Sequence, residues 1–385
     1  IWQCLWLAIA TGLLLLLLMP LTRPFLALAG HTPAVAEFEA QYFNTLCAGS
    51  PVALAAVAGS CWFSGQRRTR VVMVVSMLAV VWNFGVDYLL VYGVGPFPEL
   101  GIRGAALATV SARCAELACY IVLLQRDARR RQLPLWHQCR LDRDLLWRYF
   151  RFGLPNGLHF FVDNSGFAAF LLLVGRLSNT ALAATNIAFS INGLIFVPLL
   201  GFGTAIQTLV GHHMGAGHVG LARRTTWQAA ALGVFWTGGT GILLILFPSA
   251  ALYPFFVFSS DGGADIGPLA AQAEILLRFV AVYSVFDALA VVFSSALRGA
   301  GDTLFPMLLT LACSWLVMVL PAWLVSEYYD RELKWLWLAS SCNIIMAGLL
   351  MLIRFQVGRW QSIRVIETRE FPATADPSHS PPNSD

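Results

Sequence analysis

Long, nearly uninterrupted runs of apolar residues dominate this chain. Each run holds roughly 20 residues, enough at about 1.5 Å per helical residue to cross a hydrocarbon core of about 30 Å. A water-filled β-barrel is excluded, because its strands alternate in polarity and run for only about ten residues. The pattern predicts an all-α polytopic membrane protein with about ten transmembrane helices. We place the spans at about 3–19, 42–63, 71–93, 102–124, 152–174, 186–208, 226–247, 273–295, 304–326 and 333–355.

Charged residues are scarce, and their placement decides between a membrane protein and a nucleic-acid binder. They make up 12% of the 385 residues, about half of what a soluble domain carries. The net charge of +4 would suit nucleic acid, but the basic residues cluster in every second loop. By the positive-inside rule these loops are cytoplasmic, so we expect a multi-pass protein of the plasma (inner) membrane and no nucleic-acid partner. The arginine clusters are Arg67, Arg68 and Arg70, the loop 125–151, and Arg223 with Arg224.

The intervening loops are neutral or acidic, apart from a lone Arg176, and are expected outside. They contain Glu37 and Glu39, Asp261 and Asp265, and the segment 327–332. The carboxy-terminal tail, with Arg354, Arg359, Arg364 and Arg369, belongs on the cytoplasmic side. Its last residues, 372–385, are rich in Pro, Ser and Asp and are predicted to be disordered.

No metal site, disulfide framework or cofactor is indicated. The eight cysteines are scattered without a CxxC pair, and no Asp or Glu stands in the sequence near His212, His213 and His218. Nucleophile elbow, Walker loop and HExxH motifs are also missing. We therefore expect a protein that is not an enzyme and that takes its energy from an ion gradient.

Two pairs of short motifs suggest an internal duplication. Gly65 with Thr69 matches Gly299 with Thr303 at an offset of 234 residues, and the Pro-Phe pairs that begin at positions 24 and 254 match at an offset of 230. Both matches agree in order and in the expected membrane side, which predicts two halves in parallel orientation. We divide the chain into the remainder of an amino-terminal lobe (1–124), a cytoplasmic linker (125–151), a six-helix carboxy-terminal lobe (152–355) and a cytoplasmic tail (356–385).

The same offset aligns Ile1 with the third span of the second half. We therefore expect an amino-terminal truncation, in which this chain supplies helices 3–12 of a twelve-helix, two-lobe protein. The alternative is a genuine ten-helix protein.

Ionisable residues inside the spans are the main functional candidates. Each costs about 2.5–3.5 kcal/mol at the bilayer centre, so those that persist usually face the bundle interior and serve function. Asp163 and Asp287 lie near the middle of their spans, and Asp87 lies nearer the outer end of its span. Removal from water disfavours the charged form of a carboxylate, which lets a proton or Na⁺ bind and leave. We expect ion-coupling sites here, the alternative being structural carboxylates held by hydrogen bonds.

Neighbours one helical turn away strengthen two of these candidates. Tyr283 precedes Asp287 by one turn, so its hydroxyl can reach the carboxylate or a bound ion, unless it is an ordinary packing aromatic. Asn83 precedes Asp87 in the same way, and amide plus carboxylate is a plausible pair of ion ligands. His159 is one turn from Asp163 and either joins a proton path or packs.

Arg113 and Glu116 stand three residues apart within the fourth span. Residues at this spacing share a helix face and can neutralise each other. We favour a structural ion pair.

Five sequence segments together resemble the multidrug and toxic compound extrusion (MATE) family. They occur in the order of the family and extend over nearly the whole chain. The segments are NFGVDYLLVYG (83–93), ELGIRGAALATV (99–110), FGLPNGLHFFVD (152–163), LVGHHMGAG (209–217) and ALRGAGDT (296–303).

The resemblance implies two six-helix lobes and export of cationic, often aromatic compounds in exchange for H⁺ or Na⁺. Asp163 and Asp287 match acidic positions of the family's carboxy-terminal lobe, and Tyr283 matches a tyrosine associated with Asp287. Asn83, Asp87 and Thr109 resemble the amino-terminal cation site of another branch, whose first-helix aspartate would precede Ile1. Which lobe couples therefore stays open.

The leading hypothesis is a secondary active antiporter for organic cations that works as a monomer. A lipid-linked oligosaccharide flippase of the same superfamily would favour a strongly cationic cavity, which the acidic spans argue against. A non-transporting scaffold or receptor would not need three intramembrane carboxylates.

Overall fold

The computed structural model describes residues 2–28, 33–132, 139–257, 266–328 and 332–363. Asp261, Asp265 and the chain from Arg364 onward, including the tail expected to be disordered, lie outside these ranges. The predictions about them stay predictions.

The described residues fold into helices. Ten helical stretches are long and apolar enough to cross a membrane, which confirms the predicted fold class and the number of spans. Two of them are composite: α1 continues through the 3₁₀ turn Met19–Leu21, and α11 and α12 are joined by the π-helical turn Cys313–Val319. The α-helices are α1 (Trp2–Leu18), α2 (Thr22–Leu28), α3 (Pro33–Gly65), α4 (Thr69–Tyr92), α5 (Ile102–Arg131), α6 (Arg143–Gly175), α7 (Asn179–Gly215), α8 (Val219–Leu246), α9 (Pro248–Val257), α10 (Ile266–Gly299), α11 (Leu304–Ala312), α12 (Leu320–Tyr328) and α13 (Leu333–Val357).

Several helices extend well beyond the apolar runs that predict them. The run near 152 belongs to α6, which already begins at Arg143, and the run near 42 belongs to α3, which begins at Pro33. Backbone hydrogen bonding continues past the hydrocarbon boundary, whereas hydropathy reports only the part of a helix that lies in lipid. The segment 125–151 is accordingly helical at both ends, since α5 runs to Arg131.

The chain divides into two compact units, residues 1–149 and 150–385, called here the amino-terminal and carboxy-terminal units. In the amino-terminal unit α3 packs against α1 and α5, and α4 packs against α5. In the carboxy-terminal unit α10 is central and contacts α7, α8 and α13. The helix that carries Asp287 is therefore packed against α7, α8 and α13.

Trp337 anchors the core of the carboxy-terminal unit. The side chain is fully buried, and its ring lies 5.0 Å from that of Phe189 and 6.5 Å from that of Tyr283. Its indole N–H donates to the Thr185 hydroxyl at 3.2 Å, which satisfies the one polar atom of this side chain. This packing fixes α13 against α7 and α10.

Gly348 and Gly166 allow neighbouring helices to pack closely around Asp287 and the π-helical turn. A Cβ at Gly348 would lie 2.4 Å from the carbonyl oxygen of Phe286, and one at Gly166 would lie 2.9 Å from Cβ of Ser314. Neither position tolerates a side chain without a shift of its neighbour. Gly348 therefore seats α13 directly beside Asp287, and Gly166 seats α6 against the π-helical turn.

The π-helical turn has a local cause in the sequence. Pro321 has no N–H to continue the α-helical ladder, and the N–H of Leu320 just before it donates to the carbonyl of Trp315. This i→i−5 bond widens the turn, and such turns are frequent at functional sites. Cys313 and Ser314 within it line the cavity described below.

The Gly–Thr motif brackets a short turn in each unit, whereas the Pro-Phe pairs lie within α2 and α9. Gly65 ends α3 before Thr69 opens α4, and Gly299 ends α10 just before Thr303, the residue that precedes α11. An ion pair also ties each turn to the last long helix of its unit. The turn supplies the arginine in the amino-terminal unit and the aspartate in the carboxy-terminal unit. Arg68 pairs with Asp127 at 2.9 Å, and Asp302 pairs with Arg354 at 2.8 Å.

Candidate functional site

Two polar stripes run along α6 and α10 in the carboxy-terminal unit. On α6, Asn156, His159 and Asp163 follow one another at spacings of three and four residues, which places them on one helix face. On α10, Asp287 and Arg298 belong to the facing stripe. The Arg298 guanidinium donates to Oδ1 of Asn156 at 3.3 Å and to the hydroxyl of Ser295 at 3.0 Å. The two stripes are thus joined at one end.

The stripes enclose a cavity of about 110 Å³. A water molecule needs only about 10–15 Å³ of such volume, so the cavity can hold an ion with several waters. It is smaller than a pocket of about 300 Å³ or more that encloses a drug-sized ligand. Its polar lining comes from His159, Asp163, Asp287, Ser294, Thr310, Ser314 and Asn343.

The structure brings Asp163 and Asp287 together in this cavity, from α6 and α10. Asp163 is exposed, whereas Asp287 is half-buried. Among the described residues neither carboxylate forms a salt bridge. Two acidic groups in a largely apolar cavity, neither of them held in a salt bridge, attract a mobile cation.

Two other carboxylates in or near the spans, Glu116 and Asp302, have fixed partners. Glu116 accepts from Arg113 at 2.7 Å, which confirms the expected pair on α5, and Asp302 accepts from Arg354. Glu116 and Asp302 therefore form ion pairs, whereas Asp163 and Asp287 at the cavity form none among the described residues.

His159 links α6 to α11 inside the cavity. Its Nε2 lies 2.9 Å from the hydroxyl of Thr310, and which of the two groups donates depends on the tautomer. Its Nδ1 is buried and has no hydrogen-bond partner among the described residues. The histidine thus faces the acidic cavity with one ring nitrogen uncommitted.

Tyr283 lies apart from the cavity lining. The side chain is almost fully buried, and its ring stacks on that of Trp337. The described residues show no hydrogen bond between its hydroxyl and Asp287 one turn away. Its observed contacts are those of a core aromatic.

The amino-terminal unit contains a second group of candidates between α4 and α5. Asn83 and Thr109 line a cavity of about 280 Å³ together with Arg113 and Glu116. Asp87 does not line it, but lies one turn beyond Asn83 on the same helix. Oδ1 of Asp87 is buried without a hydrogen-bond donor in the described part of the chain. The Thr109 hydroxyl donates to the Ala105 carbonyl at 3.1 Å, which leaves its oxygen able to accept.

Sequence reasoning does not identify several polar residues of the acidic cavity. Ser294, Thr310 and Asn343 are uncharged and lie in apolar spans, so they resemble ordinary helix-packing residues. Pro321 is one local signal, because a proline inside a span marks the helix whose distorted turn faces the cavity. Arg298 lies within ALRGAGDT, but its contact with Asn156 joins residues 142 positions apart.

Comparison with known proteins shows that most of the chain is similar to transporters. A family model described as MatE matches residues 1–89 and 155–324. A probable multidrug resistance protein NorM of Thermotoga maritima is 28% identical over 378 residues, which cover 96% of this chain and 77% of that protein. The multidrug resistance protein PmpM of Pseudomonas aeruginosa is 30% identical over 317 residues, 81% of this chain and 64% of PmpM.

Solved structures agree on the fold. An outward-facing multidrug resistance transporter of the MATE family, within the MOP superfamily, superposes with a TM-score of 0.82 at 19% identity, covering 93% of this chain and 78% of that one. A MOP superfamily transporter from Pyrococcus furiosus superposes with a TM-score of 0.81 at 18% identity, over 93% and 78% of the two chains. At these identities the likeness shows the fold alone.

Proposed function

The chain belongs to the MatE family, and on that premise we propose that it is a multidrug efflux transporter, a secondary active antiporter that exports organic cations in exchange for H⁺ or Na⁺. The relatives named as multidrug resistance proteins support the general activity. The ten apolar helices support a multi-pass membrane protein. Placement in the plasma (inner) membrane, a cytoplasmic carboxy-terminus and a monomeric state belong to the same proposal.

The observation that carries the coupling proposal is a pair of cavity carboxylates that form no salt bridge. Asp163 and Asp287 share one cavity, and no salt bridge of the described residues neutralises either of them. Inside the membrane they need a proton, Na⁺ or a cationic substrate to balance their charge. Because all three compete for the same oxygens, occupancy by one weakens binding of the others.

That competition is sufficient for exchange. On one side of the membrane the substrate cation displaces the coupling ion, and on the other side the ion displaces the substrate. The substrate thereby moves against its own concentration gradient, and the gradient of the coupling ion supplies the energy. Because Asp163 is exposed and Asp287 half-buried, Asp163 is the carboxylate that a bulky cation reaches first. While no substrate is bound, Asp287 holds the smaller coupling ion, and Asn343 and Ser294 supply further oxygen ligands from the same lining.

A flippase for lipid-linked oligosaccharides is less well supported. Its anionic substrate would need a cationic cavity, and no Lys or Arg stands among the described residues that line this one. A scaffold that does not transport would have no use for two unpaired carboxylates in its membrane spans.

Reconstitution in vesicles tests the proposal. The protein is incorporated into liposomes loaded with ethidium, and a proton gradient or a Na⁺ gradient is then imposed separately. We expect dye to move under one gradient and to stop when that gradient is collapsed. Dye movement at the rate of protein-free liposomes under both gradients would refute the antiport proposal.

A further inference from the structure

Two adjacent arginines near the start of α8 have no counter-charge on their own or the adjoining helices. Arg223 and Arg224 are exposed, and no salt bridge of the described residues involves either of them. The stretch 164–260, which includes α7, α8 and α9, contains no Asp or Glu at all. No carboxylate of these three helices can therefore neutralise the pair.

The carboxylates of α10, which packs against α8, and of the turn after it are engaged elsewhere. Glu274 pairs with Arg278, and Asp302 pairs with Arg354. Asp287 belongs to the acidic cavity and lies beside Gly233, where an added Cβ would be 3.5 Å from Cβ of Ala288. That level is nine residues beyond Arg224, or about 14 Å along the helix. The described residues thus leave the two arginines without a counter-anion.

Four polar side chains share one face at the start of α8. Arg223, Arg224, Trp227 and Gln228 recur at spacings of three and four residues, and together they line an open groove of about 510 Å³. In the described part of the chain, the indole N–H of Trp227 and the side-chain amide of Gln228 have no hydrogen-bond partner. The groove therefore presents guanidinium, indole and amide donors that are all unused.

Trp227 is held in place by an aromatic stack that leads into the core. Its ring meets that of Phe293 edge-on, with 5.3 Å between the ring centres. Phe293 in turn contacts Phe355 at 5.1 Å, and Phe355 stacks on Trp360 at 4.8 Å. Trp360 is fully buried and its N–H donates to the Phe355 carbonyl, whereas Trp227 stays 39% exposed. A fixed, half-exposed tryptophan of this kind is typical of the membrane–water interface.

The length of α8 places the groove at this interface. From Arg224 to Leu246, the last residue of α8, the helix rises about 33 Å, close to the thickness of a hydrocarbon core. Arg224 therefore lies at the edge of the lipid when the rest of α8 crosses it.

An exposed apolar face continues from the groove into the span. Ala231 lines the end of the groove, and Phe235, one turn farther, is 81% exposed. Ile242 follows at a spacing of seven residues on the same face and is also exposed. A free phosphate would use only the donors of the groove, whereas a phospholipid would use the donors and the apolar face together. This continuity favours a lipid as the occupant.

We propose that the groove at the start of α8 is a binding site for the headgroup of an anionic phospholipid. Arg223 and Arg224 bind the phosphodiester oxygens by charge-assisted hydrogen bonds. Trp227 and Gln228 donate to the remaining headgroup oxygens, and an acyl chain lies along Phe235. The proposal goes beyond the export function and does not depend on it, because it concerns the surface of α8 and not the acidic cavity.

Native mass spectrometry of the purified protein in detergent tests this site. The protein is titrated with a palmitoyl-oleoyl phosphatidylglycerol, and the dissociation constant of the first bound lipid is measured. Phosphatidylcholine with the same acyl chains is the lipid without net charge. The test variant is Arg223→Gln with Arg224→Gln, two exposed positions where loss of the fold is not expected. Arg129→Gln with Arg130→Gln is the matched control, because it removes two adjacent, exposed arginines near the end of α5.

We expect the test variant to lose at least about tenfold in affinity for phosphatidylglycerol, since each arginine strengthens binding of an anionic lipid by about fivefold. Its affinity for phosphatidylcholine should stay within about twofold of the parent value. The control variant should retain the parental affinity for both lipids. An unchanged affinity of the test variant for phosphatidylglycerol would overturn the proposal. An equal loss in both double variants would also overturn it, because binding would then follow net charge and not this groove.

Two further measurements separate the parts of the site. Trp227→Phe keeps a ring against Phe293 but removes the N–H, so it should weaken binding of phosphatidylglycerol by about threefold. A full parental affinity would remove Trp227 from the site. Glycerol 3-phosphate, the water-soluble part of the headgroup, should not displace the lipid at millimolar concentration. Displacement at the concentration at which the lipid itself binds would contradict a lipid site and indicate a site for soluble phosphates.

Discussion

Asp302 accepts two hydrogen bonds from Arg354, from Nε at 2.9 Å and from Nη2 at 2.8 Å, and both end on the same oxygen, Oδ2. The pair ties the turn between α10 and α11 to the end of α13. The Arg354 guanidinium also lies over the ring of Phe305, 4.6 Å from its centre. Because α10 carries Asp287 and α13 carries Asn343, this pair holds two walls of the acidic cavity in place.

Breaking this pair on one side should destabilise the protein strongly. The side chains of Asp302 and Arg354 are only 7% and 19% exposed, and loss of one partner of a buried pair costs about 3–5 kcal/mol. We expect Arg354→Gln to lower the melting temperature of the purified protein clearly. Arg278→Gln is the matched control, because its pair with Glu274 is 64% and 41% exposed and contributes about 0–1 kcal/mol. Equal shifts for both variants would contradict this account.

Gly348→Ala should also destabilise, through a steric contact. The new Cβ would lie 2.4 Å from the carbonyl oxygen of Phe286, and relieving such an overlap costs about 1–3 kcal/mol. Gly239→Ala is the comparison, because a Cβ at Gly239 meets nothing within 4 Å. Alanine in an open helical position stabilises by up to about 1 kcal/mol. Thermal unfolding of the two variants should move in opposite directions, and a stable Gly348→Ala protein would show that α10 and α13 are less close.

The contact between His159 and Thr310 should depend on the hydroxyl. Thr310→Val keeps the shape of the side chain but leaves Nε2 of His159 without its partner at 2.9 Å. An unsatisfied buried polar atom costs about 1–3 kcal/mol, whereas Thr310→Ser retains the hydroxyl. We expect the valine variant to melt at a lower temperature than the serine variant. The opposite order would mean that the lost methyl group matters more than the hydrogen bond.

The arginine-rich loops should lie in the cytoplasm. Arg140→Cys and Glu327→Cys, each in a background without the eight native cysteines, place a single thiol on opposite sides of the expected topology. An impermeant maleimide applied to intact cells should label position 327 and spare position 140 until the cells are opened. Rapid labelling at position 140 in intact cells would reverse the orientation.

The sequence predicts the membrane fold well because hydrophobic length alone decides it. Runs of about 20 apolar residues admit helices and little else, and all ten appear in the structure. Helix ends are predicted less well. The start of α6 at Arg143, rather than near 152, depends on backbone hydrogen bonding outside the lipid. Hydropathy does not report such hydrogen bonding.

The candidate site is predicted in part. Asp163 and Asp287 stand out in the sequence because a charged residue inside a span is energetically costly and usually serves function. The structure places both in one cavity. Thr310, Ser294 and Asn343 give no such signal, since a single neutral polar residue is tolerated in any helix. The spacing between Tyr283 and Asp287 predicts a contact, whereas the stacking of Tyr283 on Trp337 depends on the packing of α10 against α13, which spacing along one helix does not report.

The most direct test of the central claim is the dependence of drug binding on the coupling ion, with and without the two cavity carboxylates. Binding of a fluorescent organic cation to the purified protein is measured while the proton or the Na⁺ concentration is raised. In the parent protein the coupling ion should weaken dye binding, and the dye must weaken ion binding by the same factor. Asp144→Asn, at an exposed aspartate in the first turn of α6, should behave as the parent does. The double variant Asp163→Asn with Asp287→Asn keeps size and hydrogen bonding, and its dye affinity should lose most of this ion dependence. Parental ion dependence in the double variant would contradict the account and move the coupling site to Asp87.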